Sequence, residues 1–456
     1  MKKNLVLLIT GCFVWLMSSC LGDDNDNTEY VLPKNCQIAT FTLSHDSISD
    51  LGDVKFSIDQ LNGLIFNMDS LPYGTKLEKA ICKIEYVSSS AVSSLKVMQE
   101  AVGDTIDWNG TDSLDFSKPV KFQVIAYDGV TKKEYISKIN IHTVIPDTLE
   151  WSLYATEITG QTMKEQKVIM VPYEGRDCYF LYAQPAGTSL PYRLFYSEVS
   201  DMKTWTPLEL LGLPTDKIIL SQITEYEGTY YVPSTDGILY ASPAGRSWSP
   251  VAGAPYISYV LGDVKEGGRQ TSAMSVIVKE DDILKFGARD SKGTWTIGNA
   301  VPENFPVSGF GKENYASLYN SYLMVVGGRT ANNQLSNYSW GTIDGVDWAL
   351  LTDENSNYFI KREGVMVTAY DDKIYLIGGI DAAGKAYSDI YETIDKGLTW
   401  SLVDSMIVLP NTYRERGFSS IIVDKDQYIT IFGGKMSTNG NVMQEIWRGR
   451  INRLAF

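Results

Sequence analysis

The sequence predicts an all-β chain with two folded parts, a β-sandwich followed by a β-propeller of six blades. The main observation is a unit of about 40–50 residues that recurs over roughly the last two thirds of the chain. Each unit combines a short apolar strand, a turn rich in Asp and Gly, and a strand that opens on Trp. The second observation is the alternation of apolar and polar residues upstream of these units, which is typical of β-strands with one buried face.

The first residues have the pattern of a secretory signal. Lys2 and Lys3 precede an apolar run, 5–17, which ends in a Ser-Ser pair directly before Cys20. This ending resembles a bacterial lipobox, and the resemblance implies that a signal peptide, 1–19, is removed and that Cys20 carries the lipid that anchors the protein to a membrane. The alternative is an ordinary cleaved signal with an incidental cysteine.

An acidic tether, 20–35, is predicted to follow the anchor. Asp23, Asp24 and Asp26 lie in a polar stretch that cannot bury a core, so a flexible segment is expected. An acidic cluster directly after the lipidated cysteine resembles the surface-export signal of Bacteroidetes lipoproteins. That resemblance implies an outer-membrane lipoprotein exposed on the cell surface, and the alternative is one that faces the periplasm.

Charge and composition exclude several classes of function. The formal charge is −15, and loss of two lysines with the signal takes it to −17, so nucleic acid and anionic membrane surfaces are poor partners. Only His45 and His142 are present, which argues against His-dependent catalysis or a His-rich zinc site in the repeats. Cys36, Cys82 and Cys178 remain after processing, too few for a disulfide framework, although the first two could pair within one domain.

The first domain is expected to span 36–146. Runs such as 37–43 and 120–126 alternate apolar and polar residues between turn-forming clusters, which predicts an antiparallel β-sandwich of about seven strands. Its ending, 121–135, resembles the last hairpin of Ig-like domains in Bacteroidetes surface lipoproteins. That resemblance implies a spacer, with a ligand-binding role as the alternative. The linker to the next domain is expected at 144–147.

The second domain is expected to span 148–456. The Trp residues that open the outer strands are separated by 43, 47, 53 and 52 residues, at Trp205, Trp248, Trp295, Trp348 and Trp400. Turn residues, chiefly Asp and Gly, precede each one, as the reversal from an inner to an outermost strand requires. Each Trp is expected to fill the gap between neighbouring blades.

The last unit supplies evidence for ring closure. It ends at 446–450 without an outer strand, whereas the segment 150–153 matches the outer-strand segment 399–402. We therefore expect the strand that contains Trp151 to complete the last blade, which removes the exposed edges of an open sheet. Counting this strand gives six blades.

Three Gly-Gly pairs, 327–328, 378–379 and 433–434, end the second strand of three units. Glycine suits positions where backbones crowd or φ is positive. The pairs and the Trp positions together resemble kelch repeats. The segment 393–400 also looks like the Asp-box of sialidases and related propellers, with a near match at 342–348, and this turn is structural. The whole layout is similar to an uncharacterised family of Bacteroides lipoproteins with an Ig-like domain and a propeller.

Propellers bind ligands where loops meet at the channel mouth. We expect the loops before the innermost strands and those after the Gly-Gly pairs to share one face. The candidate ligand-binding residues on these loops are Arg329, Arg362, Glu363, Arg414, Arg416, Lys435, Tyr387 and Tyr413, which could hydrogen-bond to sugars and stack on them. The alternative is that residues repeated in equivalent positions, as at 362–364 and 415–417, serve the blades.

Three functions remain open from the sequence. The first is a non-catalytic, monomeric surface protein that binds a glycan or a protein. The second is a sialidase-like glycosidase, with Arg329, Arg362 and Arg416 as a carboxylate clamp and Tyr387 with Glu363 as the nucleophile pair. The first blade lacks an Arg-Ile-Pro-like motif and only one Asp-box is complete, so we assign no catalytic residue. The third is an assembly role without a small ligand.

No cofactor or metal is predicted from the sequence. Asp residues recur in the turns of the repeats, and Asp is a common calcium ligand. An Asp in a β-turn is explained by its hydrogen bonds to the backbone alone. The turns therefore give no separate reason to expect a metal.

Overall fold

A computed structural model describes residues 31–453 apart from 101–102, 188–189, 268–270 and 317–320. The predicted signal peptide, Cys20 and most of the predicted tether lie outside the described residues. No helix within the described residues is long and apolar enough to cross a membrane. The chain divides into two compact units, Met1–Ile145 and Pro146–Phe456.

The described part of the first unit contains strands and two short 3-10 turns, Ser49–Asp53 and Ser89–Ala91. Its strands are β1 Ile38–Ser44, β2 Phe56–Asp59, β3 Leu64–Asn67, β4 Ile81–Tyr86, β5 Val92–Gln99, β6 Asp104–Asp107, β7 Val120–Ala126 and β8 Lys132–Lys138. One sheet pairs β1 with β4, and the other has the order β2-β3-β8-β7-β5-β6. All neighbours are antiparallel except β3 and β8.

The two sheets of the first unit share one apolar core. Alternate residues of β7 are buried, which is the period-two pattern that the sequence shows. Phe41 of β1 packs edge-on against Phe122 of β7, with ring centroids 5.8 Å apart. Cys36 and Cys82 are both buried and both free. Burial raises the pKa of the Cys82 thiol to about 12, so this group is expected to be unreactive in the folded protein.

The second unit contains strands and one 3-10 turn, Leu220–Gln222, in its described part. The strands are β9 Leu149–Ala155, β10 Met163–Tyr173, β11 Arg176–Pro185, β12 Arg193–Glu198, β13 Thr206–Leu208, β14 Thr224–Tyr226, β15 Thr229–Pro233, β16 Leu239–Ser242, β17 Ser249–Pro250, β18 Ile257–Val264, β19 Ala273–Glu280, β20 Ile283–Asp290, β21 Trp295–Ala300, β22 Pro306–Ser308, β23 Gly311–Ala316, β24 Ser321–Val326, β25 Arg329–Thr330, β26 Ser339–Thr342, β27 Ala349–Leu350, β28 Arg362–Glu363, β29 Met366–Tyr370, β30 Lys373–Asp381, β31 Ala386–Thr393, β32 Ser401–Leu402, β33 Ser420–Val423, β34 Ile429–Phe432 and β35 Ile446–Ile451.

These strands form a series of antiparallel sheets, which we number in chain order. Sheets 1, 2 and 3 have the orders β10-β11-β12-β13, β14-β15-β16-β17 and β18-β19-β20-β21. Sheet 4 has the order β23-β24-β26-β27, and β22 and β25 form a separate pair beside it. In sheet 5, β28 and β29 both pair with β30, which is followed by β31 and β32. Sheet 6 has the order β33-β34-β35-β9.

The sheets are arranged in a closed ring around an axis. The innermost strands β18, β23, β29 and β33 contact one another in that order, and β33 contacts β10 of sheet 1. The turn Leu220–Gln222 contacts β10 on one side and β18 on the other, so sheet 2 fills the remaining position. A ring of four-stranded antiparallel sheets is the arrangement of a β-propeller.

An N-terminal strand closes this ring. β9 pairs antiparallel with β35 of the last sheet, and Trp151 lies opposite Gly449 in the register. The expectation that the Trp151 strand completes the last unit is confirmed. The closure stabilises the fold because the outer edge of β35 is paired instead of exposed.

The recurring Trp side chains pack against the preceding sheet, as predicted. Trp400 of sheet 5 donates from Nε1 to Ser339 Oγ of sheet 4 at 2.8 Å. Trp348 of sheet 4 stacks on Phe286 of sheet 3, with centroids 5.9 Å apart. The indole rings therefore join neighbouring sheets as amphipathic wedges.

The Gly-Gly pairs lie where both backbone conformation and space require glycine. Gly378 and Gly379 have φ values of 66° and 104°, and the other two pairs are also at positive φ. A Cβ atom on Gly378 would lie 2.6 Å from the carbonyl oxygen of Arg416, on the next sheet. The Gly379 amide donates to this same oxygen at 3.0 Å. The prediction of positive φ and backbone crowding is confirmed.

The Asp-box-like turn is held by its own side chains. Thr393 Oγ1 donates to Asp395 Oδ1 at 2.8 Å, and the Gly397 amide donates to Thr393 Oγ1 at 2.9 Å. The Thr399 amide donates to Asp395 Oδ1 at 2.9 Å. Burial opposes ionisation of Asp395, but the hydrogen bonds from Thr399 and Thr393 outweigh it and lower the pKa. These bonds account for the residues of the motif as a structural turn.

Candidate functional site

A cavity of about 470 Å³ lies on the axis of the ring, at the end where the innermost strands begin. The wall is formed by innermost strands and by the segments that lead into them around the whole ring, for example through Lys167, Gln222, Val260, Lys312, Val365 and Phe418. We call this space the channel cavity. Its volume falls within the range of small-molecule sites, roughly 300–1,000 Å³.

Three lysines and three glutamates line the channel cavity: Glu165, Lys167, Lys312, Glu313, Glu363 and Lys435. Their formal charges cancel, but their hydrogen bonding differs. Glu313 and Glu363 are held by groups of the protein. Lys167, Lys435 and Glu165 have no ion-pair or side-chain hydrogen-bond partner within the described residues. These three side chains are therefore available to a ligand.

Lys312 extends from sheet 4 and donates to Thr224 Oγ1 of sheet 2 at 2.6 Å. Burial and the positive charge of Lys167 lower the pKa of its ammonium to about 7, against a smaller opposing effect of Asp263. Burial also lowers the pKa of Lys167, which extends from sheet 1. Two lysines therefore line the same cavity, and neither forms an ion pair with a carboxylate among the described residues.

Glu313 lies beside Lys312 on β23 but faces sheet 5. One carboxylate oxygen accepts the Ala369 amide at 2.9 Å, and the other accepts the Asn314 amide at 2.9 Å. Burial raises the pKa of Glu313 despite these two hydrogen bonds. This carboxylate fixes the contact between sheets 4 and 5 and does not neutralise the lysines.

Lys435 is buried at the wall of the channel cavity, and its ammonium lies 5.6 Å from the ring centroid of Phe418. Burial lowers the pKa of Lys435, while the negative charges of Glu165 and Glu363 act in the opposite direction. Glu165 lies two residues before Lys167 on β10. This second group of charges thus adjoins the lysine pair.

Arg362 was predicted to bind ligand, but its side chain is 0% exposed and is absent from the wall of the channel cavity. Its guanidinium pairs with both carboxylate oxygens of Asp389, at 2.6 and 3.2 Å. It also donates to the carbonyl oxygens of Gly378, at 3.1 Å, and Ile360, at 3.0 Å. The ring of Tyr387 lies against it at 4.2 Å. All these partners belong to sheet 5 and its adjoining loop.

Arg416 repeats this arrangement one sheet further on. Its side chain is also 0% exposed, and it pairs with Glu445 Oε2 at 2.5 Å. It donates to the carbonyl oxygens of Gly433, at 3.0 Å, and Arg414, at 2.7 Å, and it lies 4.2 Å from the ring of Tyr413. The equivalent positions of the two arginines thus have equivalent structural contacts, which is the alternative that the sequence left open.

Some of the remaining predicted residues line the channel cavity, and the others lie outside its wall. Glu363 lines the channel cavity, where Arg329 of β25 binds it through two hydrogen bonds, at 2.9 and 2.5 Å. Thr438 Oγ1 also donates to Glu363, at 3.2 Å. Arg414 is half exposed and pairs with Glu445. Of the eight predicted side chains, Glu363 and Lys435 line the channel cavity and the others do not.

The sequence interpretation missed Glu165, Lys167 and Lys312. All three lie within innermost strands and not on the loops from which the sequence predicts ligand binding. Neither lysine stands out in the sequence, because Lys167 follows the polar residues Lys164, Glu165 and Gln166, and Lys312 is followed by Glu313 and Asn314. The arrangement of the sheets places these side chains at the channel cavity.

The arginines of the sialidase-like alternative do not converge. Arg329, Arg362 and Arg416 bind three different carboxylates, those of Glu363, Asp389 and Glu445. The Tyr387 hydroxyl donates to Asp381 Oδ2 at 2.9 Å and not to Glu363. Within the described residues, no cluster of three or more His, Cys, Asp or Glu side chains could hold a metal ion.

Comparison with known proteins gives a family for both units. No curated protein matches the chain. A solved structure of YjhT matches with 12% identity and a TM-score of 0.44, covering 64% of this chain and 96% of its own, and this similarity carries no functional argument. Residues 31–139 match the N-terminal domain of DUF6242, a domain of unknown function, and residues 145–456 match the DUF6242 beta propeller domain. The chain therefore belongs to the DUF6242 family.

Proposed function

We propose that this protein is a non-catalytic lipoprotein of the cell envelope that binds a glycan in its channel cavity. The observation that carries the proposal is a set of charged side chains, Glu165, Lys167 and Lys435, which line the channel cavity without an ion-pair or side-chain hydrogen-bond partner among the described residues. A cavity of about 470 Å³ suits a sugar unit better than a folded protein partner. Paired donors and acceptors suit the hydroxyl groups of a sugar.

The rest of the layout serves presentation at the cell surface. Cys20 carries the lipid anchor in the outer membrane, the acidic tether directs export to the surface, and the Ig-like first domain acts as a spacer. The propeller has six kelch-like blades, one for each numbered sheet. The protein acts as a monomer, and its negative charge keeps it from nucleic acid.

We assign no catalytic role because the three arginines of a sialidase-like site are each paired with a carboxylate of the protein. A sialidase-like reaction needs a shared arginine clamp with an open carboxylate site in front of it. Arg329, Arg362 and Arg416 are instead occupied by separate carboxylates. The lysines of the channel cavity supply charge for binding.

The binding proposal is tested with the two-domain chain from residue 27 onward, applied to arrays of host and plant polysaccharides. Ser221→Trp places a bulky ring on an exposed residue that lines the channel cavity, and Ser405→Trp is the matched control on an exposed residue outside it. We expect binding that Ser221→Trp abolishes and Ser405→Trp preserves. Release of sugar would overturn the non-catalytic assignment. Silence on every glycan, with capture of an outer-membrane protein, would favour a protein ligand.

The anchor is tested separately in cells that express the full chain. Labelled fatty acid is expected to enter the wild-type protein and not a Cys20→Ala variant. Added protease is expected to cleave the wild-type protein on intact cells. Protection of a labelled protein would place it on the periplasmic side.

A further inference from the structure

We propose that the channel cavity selects a sugar that carries a carboxylate, and that Lys167 and Lys312 hold this carboxylate between their ammonium groups. The inference rests on the proposed glycan-binding function and deepens it by naming the ligand class. The two lysines extend from sheets 1 and 4, three positions apart in the ring, and both line the same cavity. The positive charge of Lys167 contributes to the lowered pKa of Lys312.

The surrounding groups leave this pair of positive charges uncompensated. Glu313, on the strand of Lys312, is bound to the amides of Ala369 and Asn314. Asp263 of sheet 3 attracts Lys312 but accepts its hydrogen bond from Asn314, at 3.1 Å. Neither lysine forms an ion pair with any carboxylate in the described part of the chain.

The carboxylate of a ligand would supply the negatively charged partner that Lys167 and Lys312 do not have within the described residues. It has two oxygens, one for each ammonium, and charge-assisted hydrogen bonds of this kind are stronger than neutral ones. A pair of like charges inside a protein lowers the free energy of unfolding. Such a pair is expected at a binding site, where function is retained at the expense of stability. Glu165 and Thr438 line the same cavity and can accept or donate to the sugar hydroxyl groups.

Binding should depend on pH through Lys312. The groups that act on its ammonium are Lys167 from sheet 1, Thr224 from sheet 2 and Asp263 from sheet 3, whereas Glu313 on its own strand is held by the amides of Ala369 and Asn314. In the free protein the ammonium loses its proton near pH 7 because of burial and Lys167. A bound carboxylate favours the protonated form, so affinity is expected to fall as the pH rises above about 7, by up to about tenfold per pH unit.

The test compares three probes that share one ring: galactose, galacturonate and galactose 6-phosphate. Their binding to the two-domain chain is measured by ligand-observed NMR and calorimetry across this pH range. We expect galacturonate to bind at least about tenfold more tightly than galactose. Lys167→Met and Lys312→Met are each expected to lose this preference, whereas Lys425→Met, which alters a side chain 77% exposed, is expected to keep it. Lys312→Met is also expected to flatten the pH profile.

The outcomes separate this inference from the proposed function. Equal binding of galactose and galacturonate, unchanged in both lysine variants, would overturn the carboxylate site and leave glycan binding standing. Tighter binding of galactose 6-phosphate would overturn the carboxylate assignment in favour of a phosphate. Binding of none of the three, together with silence on the polysaccharide arrays, would overturn both. Thermal unfolding of each variant verifies that lost binding is not lost folding.

Discussion

The contacts of Arg362 predict that its replacement damages the fold. Arg362→Met would leave Asp389 without its guanidinium partner and remove the donor to the Gly378 and Ile360 carbonyl oxygens. Removing one partner of a buried ion pair costs about 3–5 kcal/mol. A quarter of the Asp389 side chain is exposed to water, so the lower end of this range is expected.

Arg414→Met is the matched control, because Arg414 also pairs with a carboxylate but its side chain is 53% exposed. An exposed pair contributes about 1 kcal/mol or less. At about 2 °C per kcal/mol for a domain of this size, Arg362→Met should lower the melting temperature by about 6 °C and Arg414→Met by about 2 °C or less. Differential scanning calorimetry and urea unfolding followed by Trp fluorescence measure both.

A double variant sharpens this test. Arg362→Met with Asp389→Leu removes both charges, and replacement of a whole buried pair by apolar side chains is often close to neutral. We expect it to recover most of the stability that Arg362→Met loses. Equal melting temperatures for Arg362→Met and Arg414→Met would refute the structural role of Arg362. Full stability with lost glycan binding would restore its role as a ligand contact.

Three further predictions concern the cavity, the Gly-Gly pairs and the Trp wedges. Lys312→Met is expected to stabilise the protein below pH 7, because burial lowers the pKa of the ammonium to about 7. The gain in the free energy of unfolding is expected to shrink between pH 7 and about 10, since only the unfolded wild-type chain keeps the Lys312 proton there. Urea unfolding across this pH range measures the gain. A difference in stability that does not change with pH would contradict the lowered pKa of Lys312. Gly378→Ala is expected to lose more thermal stability than Gly384→Ala, because both residues have positive φ but only Gly378 meets a main-chain oxygen within 4 Å; equal losses would attribute the effect to φ alone. Trp400→Phe is expected to cost about 1–2 kcal/mol in urea unfolding, because it loses the hydrogen bond to Ser339 and packing volume. An unchanged midpoint would exclude the wedge role.

The repeated features of the sequence were enough to predict the architecture of the second unit. Spacing of the Trp residues located the outer strands, the Gly-Gly pairs located the positive φ positions, and the match between 150–153 and 399–402 located the closing strand. Each of these features recurs, and each has a local physical cause in turn chemistry, backbone sterics or a missing strand. The architecture could therefore be predicted because these features recur along the sequence.

The charged side chains that face the axis could not be predicted from the sequence, because their position depends on contacts between sheets that are distant in the chain. Arg362 and Lys435 are both predicted to bind ligand because of their position on the loops of one face. In the structure, however, Arg362 is enclosed by its own sheet and Lys435 lines the channel cavity. Lys167 and Lys312 are 145 positions apart in the sequence and line one cavity only because the ring brings sheets 1 and 4 to one axis. The direction of a strand side chain depends on register and on the neighbouring sheet. The sequence alone therefore does not tell whether a charged side chain is paired with a carboxylate of the protein or faces the open cavity.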